Sequence, residues 1–234
     1  MVPPAPIRVG RRAVILYTLV MRGTVEGHLN HPRAKDWVEI LPHWLDRLEV
    51  GSEADPRDLE ILTTPLGELD PAIRAEVQWY GEASAVLGWA LQRVVAPADF
   101  DPVDPNEVFT ALGFEPATMV QGAGDLIAGA SLRPMDELLA YYSKLSIVQC
   151  CLRCRGLNDE DVKSMLQQIV RKQLDERGVL AVDFAAAQES VMRLPDEQYR
   201  HLRGVYPVRV HAAGWLVGER DRYWEEAKET ADEK

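Results

Sequence analysis

Residues 69–94 read LDPAIRAEVQWYGEASAVLGWALQRV, the longest stretch of the chain with one unbroken pattern. Asp70 followed by Pro71 is a helix start, because the carboxylate caps free N–H groups and proline at the first helical position lacks an N–H that would go unbonded anyway. Beyond it Ile73, Val77, Tyr80, Ala83, Val86, Leu87, Ala90, Leu91 and Val94 recur at helical spacing. That spacing predicts one helix from Pro71 to Val94 with a wide apolar stripe turned to a core. Trp79, Val86, Leu87 and Trp89 are expected to be largely buried. Glu82 falls between the two tryptophans at the edge of the stripe, so it is either paired in a half-buried site or functional.

Outward from this segment the chain reads as helix after helix. Residues 1–7 are proline-rich and are expected to be extended or disordered. A first helix spans about Arg8 to Gly27, burying Ile15, Leu16, Leu19 and Val20, with Gly23 weakening its last turn. A second covers about Ala34 to Leu48 and should kink or split at Pro42. Asp55-Pro56 opens a third, ending near Thr63. The connection APADFDPVDP, residues 96–105, has no room for regular structure, and Asp104 with Glu107 caps the next short helix. Residues 115–133 contain Gly122, Gly124 and Gly129 and read as a loop holding at most one short helical piece; they are also a candidate internal boundary. Pro134 opens a long helix to about Arg155, Asn158 caps another to Arg177 with Gly178 as its stop, and a short one covers Asp183 to Arg193. The stretch from Glu197 to Gly218 is helical with an interruption at Tyr206-Pro207. Residues 219–234 form an acidic tail, and Tyr223 and Trp224 favour its docking. With no period-2 stretch of useful length, the fold class is all-α: one irregular helical bundle over residues 8–218, with the first and last helices packed on the central one.

The chain has 234 residues and a formal net charge of −11. The charge is uneven: residues 1–35 carry six basic and one acidic side chain, residues 36–140 five basic and twenty acidic. An acidic middle disfavours nucleic acid and anionic membranes and suits a basic protein or a cation. The apolar run from Ala13 to Met21 is too short to span a bilayer, and the N-terminus has no apolar signal core, so the expected location is cytoplasmic.

Chemistry-bearing motifs are sparse. Cys150, Cys151 and Cys154 lack a second cysteine pair for a zinc ribbon and read as small buried thiols, although Arg153 and Arg155 would favour a thiolate. His28, His31, His43, His201 and His211 show no helical metal-pair spacing. Asp99, Asp101 and Asp104 echo a calcium loop without its glycine and closing glutamate. Gly122-Ala123-Gly124 follows no strand and completes no dinucleotide fingerprint. No cofactor or metal is expected. What remains is a set of charged residues on apolar helices: Arg12, Glu82 and Arg209, with Trp89 beside them. They form either a structural ion pair, for which Arg12 is the first-choice partner of Glu82, or a binding pocket.

Three blocks carry a resemblance: RRAVILYTLVMRGTVE from Arg11 to Glu26, WYGEASAVLGWAL from Trp79 to Leu91, and RVHAAGWL from Arg209 to Leu216, followed by Trp224 and Thr230. In that order they resemble the bacterial domain-of-unknown-function family 4272. The chain departs from the pattern at Gly214, which weakens the last helix. The resemblance implies an all-helical cytoplasmic bacterial protein and carries no activity. Two functions fit the residues. One is a protein-binding or regulatory module, immunity-like in character, with a basic partner. The other is an enzyme using Glu82 as acid or base, with arginines binding an anionic substrate.

Overall fold

The computed structural model describes residues 2–115, 117–157, 159–175, 184–219 and 223. Among them there is no strand. The helices, in order, are α1 (Pro6–Glu26), α2 (Ala34–Arg47), α3 (Pro56–Thr63), α4 (Pro71–Gln78), α5 (Tyr80–Ala90), α6 (Pro105–Ala111), α7 (Met119–Ala128), α8 (Met135–Arg155), α9 (Glu160–Asp175), α10 (Phe184–Met192) and α11 (Asp196–Leu216). A single 3-10 turn, Gly51–Glu53, precedes α3. The chain is all-α.

The segment that reads as one helix is two. Around Trp79 the backbone tightens to i→i+3 bonding, Trp79 N to Glu76 O and Glu82 N to Trp79 O, both 2.9 Å. The tightening separates two kinds of surface. Helix α4 buries only Val77, whereas every residue of α5 from Tyr80 to Ala90 is buried. An all-round buried helix needs small side chains for close neighbours, and Gly81, Ala83, Ser84, Ala85 and Gly88 supply them. Trp89 is buried as expected, but Trp79 is only half-buried. The helix also stops at Ala90 rather than Val94. Gln92 adopts a left-handed φ of 62°, while Arg93 N reaches Gly88 O and Gln92 N reaches Trp89 O, each at 2.9 Å. This paired capping closes the last turn with a non-glycine residue in the glycine position.

Helix α5 lies between α1 and α11, as the sequence led us to expect, with α6 and α4 at its flanks. Helix α8 backs α11 and carries α9 and α10, while α2, α3, α4 and α7 gather on α1. Buried side chains from α1 through α11 form one contiguous core.

Several local expectations are corrected. Helix α1 begins at Pro6 and not Arg8, with Ala5 extended before it and Pro4 buried. Helices α2 and α11 run through Pro42 and Pro207 without a break. The carbonyls left without an N–H donor belong to Val38 and Arg203, neither of which is buried, so water can take them up. The one helical piece expected within residues 115–133 is the ten-residue α7, packed on α1. Gly122 in it allows the backbone to touch the Gly113 turn (φ +83°), where a Cβ would sit 2.0 Å from the Gly113 carbonyl oxygen. Gly23, read as a weak point, is where α4 crosses α1: a Cβ there would lie 2.4 Å from Val77 Cγ2. Expectations for Asn158, Arg177, Gly178, Asp183, Trp224 and Thr230 fall outside the described residues. Of the tail, Tyr223 is buried, its ring edge-on to Trp215 at 5.3 Å and its carbonyl bonded to His211 Nε2.

Candidate functional site

Three arginines, Arg12, Arg22 and Arg209, are fully buried, and each meets a carboxylate and a run of irregular backbone. A guanidinium has five N–H donors in a planar fork, so burial demands several acceptors at once. Arg22 donates to Glu26 Oε2 at 2.6 Å and to the carbonyls of Thr64 and Pro65 at 2.9 and 3.2 Å. Glu26 Oε1 in turn accepts from Leu69 N at 3.2 Å, so the pair holds both ends of the connection between α3 and α4. Burial alone would raise the Glu26 pKa. The hydrogen bond from Arg22, those from the N–H groups of Gly67 and Leu69, and the Arg22 charge outweigh it and hold the pKa below its ordinary value of 4.5.

Arg12 is not the partner of Glu82. It donates to Asp58 Oδ2 at 2.6 Å, to Asp55 Oδ2 at 3.3 Å and to the Glu53 carbonyl at 3.3 Å, with the Tyr223 ring 4.2 Å from its guanidinium carbon. The reason is local. Asp55 and Asp58 form the capping box of α3, and that helix start packs on α1 beside Arg12.

Glu82 is bound by Arg209. Arg209 Nε lies 2.7 Å from Glu82 Oε2, and the guanidinium also donates to Ala98 O at 2.6 Å and Asp101 O at 2.9 Å. Glu82 Oε1 accepts from Val103 N at 3.0 Å. Tyr206 O–H reaches Asp99 O, and Gln198 Nε2 reaches Phe100 O, each at 2.8 Å. Lys144 of α8 pairs with Asp99 at 2.6 Å. The irregular connection from α5 to α6 is therefore held at Ala98, Asp99, Phe100, Asp101 and Val103 by three separate helices. Its two prolines stiffen it further. Trp89 stands apart, at the far end of α5. Its ring packs on Tyr141 at 4.2 Å, and Arg133 lies 5.0 Å over it while donating to its carbonyl at 2.9 Å. Of the four predicted site residues, the fold joins Glu82 and Arg209 and leaves Arg12 and Trp89 in separate places.

The outer side of the held connection is an apolar groove of about 440 Å³. Val95, Pro97, Pro102 and Val103 line it from the connection, Val108 and Ala111 from α6, and Ala85 from α5. Val95 is 86% exposed. The charged lining residues are Asp104 and Glu107; no cation lines it. Sequence reading took these two acids for helix capping, which Asp104 does perform by accepting from Asn106 N at 2.8 Å. The groove itself was missed. Its signal was available in VVAPA, residues 94–98, five small and apolar residues between the end of α5 and the acidic cap at Asp104.

Among the described residues no three or more His, Cys, Asp or Glu side chains converge on a metal position. No helix of the described residues is long and apolar enough to cross a membrane. Cys150, Cys151 and Cys154 are buried and unlinked. Burial, and next the neighbouring Cys154, pushes the Cys150 thiol up to about 12 and Cys151 up to about 11, which suits packing and not thiolate chemistry. No protein-family model, no curated protein and no solved structure matches this chain.

Proposed function

We propose that this chain is a protein-binding module whose groove beside residues 95–103 takes an amphipathic, basic segment of a partner protein. The observation that carries this reading is the groove's make-up: an apolar floor, an acidic rim and no lining cation. Apolar side chains of a partner helix would fill the floor while its lysines and arginines meet Asp104 and Glu107. The buried pair supports the same reading. Both oxygens of Glu82 are engaged, one by Arg209 and one by Val103 N, and the residue is 4% exposed. A carboxylate so buried and bonded serves to order the backbone it holds. An ordered groove loses little conformational freedom on binding, which favours affinity.

The test uses fluorescence anisotropy with synthetic amphipathic helical peptides of identical apolar face and either basic or acidic flanks. The basic peptide should bind, weaken steeply with salt, and lose binding in Glu107→Lys and Val95→Arg. Both substitutions sit at exposed positions, so the fold should be kept. Equal binding of basic and acidic peptides, or binding indifferent to both substitutions, overturns the proposal.

A further inference from the structure

The opposite side of α6 lines a second cavity, of about 400 Å³, walled by α1, the chain after it, α2 and the turn following α6. Its inner wall is aromatic. Tyr17 meets Phe109 edge-on at 4.8 Å and Phe114 at 5.2 Å, and Met21 and Val25 continue the apolar lining. At the mouth stand His28, Trp37 and Glu115, with His31 stacked on Trp37 at 4.4 Å.

Two features set the chemistry that this cavity offers a ligand. The first is Tyr17. It is 2% exposed, and its hydroxyl makes no hydrogen bond among the described residues. Burial pushes its pKa up to about 12, so it stays a neutral donor across the physiological range. No described residue accepts from it, yet its oxygen is not sealed from water, so the donor stands open to what enters the cavity it lines. The second is the sign of the lining. Glu115 is its one formally charged member with histidines neutral, which opposes an anion and leaves flat aromatic faces as the main binding surface.

We propose that this cavity binds a planar aromatic molecule of one or two rings, uncharged or cationic, whose ring nitrogen or carbonyl accepts a hydrogen bond from the Tyr17 hydroxyl. The volume lies within the range of small-molecule sites, and aromatic walls at these separations match ring stacking and edge contacts. Trp37 and His31 at the mouth cover a ring that has entered. The inference stands apart from the peptide groove, since it uses the other face of α6.

Quinoline, naphthalene and quinoline-carboxylate serve as probes, titrated onto the full chain by calorimetry and ligand-observed NMR. Quinoline should bind saturably, naphthalene more weakly for want of an acceptor, and the carboxylate least. Tyr17→Phe should weaken quinoline about threefold to tenfold, the worth of one hydrogen bond, and leave naphthalene unchanged. That variant should melt no lower than the parent, because the hydroxyl it removes has no partner in the fold. Thr110→Trp, at an exposed lining position, should block all three. Absence of saturable quinoline binding, binding unaffected by Thr110→Trp, or equal loss of quinoline and naphthalene in Tyr17→Phe would each overturn the assignment.

Discussion

Arg22–Glu26 and Arg209–Glu82 use the same chemistry at opposite extremes of chain distance. In both, a fully buried arginine meets one carboxylate and two backbone carbonyls, and the carboxylate accepts an N–H from the connection being held. Yet Arg22 and Glu26 are four residues apart on one helix, whereas Glu82 and Arg209 are 127 residues apart on two. The near pair is oriented by its own helix and fixes a neighbouring turn. The far pair fixes a turn and also the docking of α11 on α5. Identical contacts therefore do different structural work, and the difference can be measured.

Breaking the far pair should have the largest effect. Glu82→Gln or Arg209→Met should each destabilise by about 3–5 kcal/mol in urea unfolding, the range for stranding one buried partner. The double variant should recover part of the loss, because no charge is left unpaired. Additive losses would show that the two residues act separately. Arg22→Met should cost less, about 2–3 kcal/mol, because Glu26 ends its helix beside exposed Gly27 and His28, where water can reach a stranded carboxylate. An equal or larger loss would remove the distinction between near and far pairs.

The near pair has a pH signature. Glu26 has a folded pKa below its unfolded value, so its stabilisation is complete above the ordinary value of 4.5 and is lost as pH falls through the folded pKa. Urea midpoints measured from pH 6 downward should therefore fall below about pH 4.5, and Glu26→Gln should flatten that part of the curve. A curve of unchanged slope would mean Glu26 is not held by Arg22. The smallest effect belongs to a single far-side hydrogen bond. Tyr206→Phe leaves the Asp99 carbonyl without its 2.8 Å partner and should cost about 1 kcal/mol, read as a small shift in midpoint.

Much of this was legible in residue order, and the misses have a common physical origin. Helix starts at Pro56, Pro71 and Pro105 were readable because a cap and a proline act within four residues. The all-α class followed from periodicity alone. Glu82 and Arg209 were recognisable as charges in apolar surroundings, but which arginine served Glu82 was not. That choice depends on where α3 sets Asp58, and no local pattern encodes it. The break at Trp79 was hidden because α4 and α5 share a stripe and differ only in the opposite face. There the small residues of α5 could have signalled burial all round. The aromatic cavity joins Tyr17 to Phe109 and Phe114, roughly ninety residues away, and only topology unites them.

The contacts that α11 makes with residues 98–101 and with Glu82 also set an order of events in time. Gln198, Tyr206 and Arg209 reach back across 98 to 127 residues to Phe100, Asp99, Ala98, Asp101 and Glu82. Loops of that length close late, since the entropy of closure must be met before the contacts can form. During synthesis, α1 and α5 can collapse on each other while Glu82 still lacks its cation and the connection beside it has no fixed path. The groove acquires its shape when α11 arrives, so a nascent chain that has not yet extruded residue 209 has the earlier helices without the proposed recognition surface.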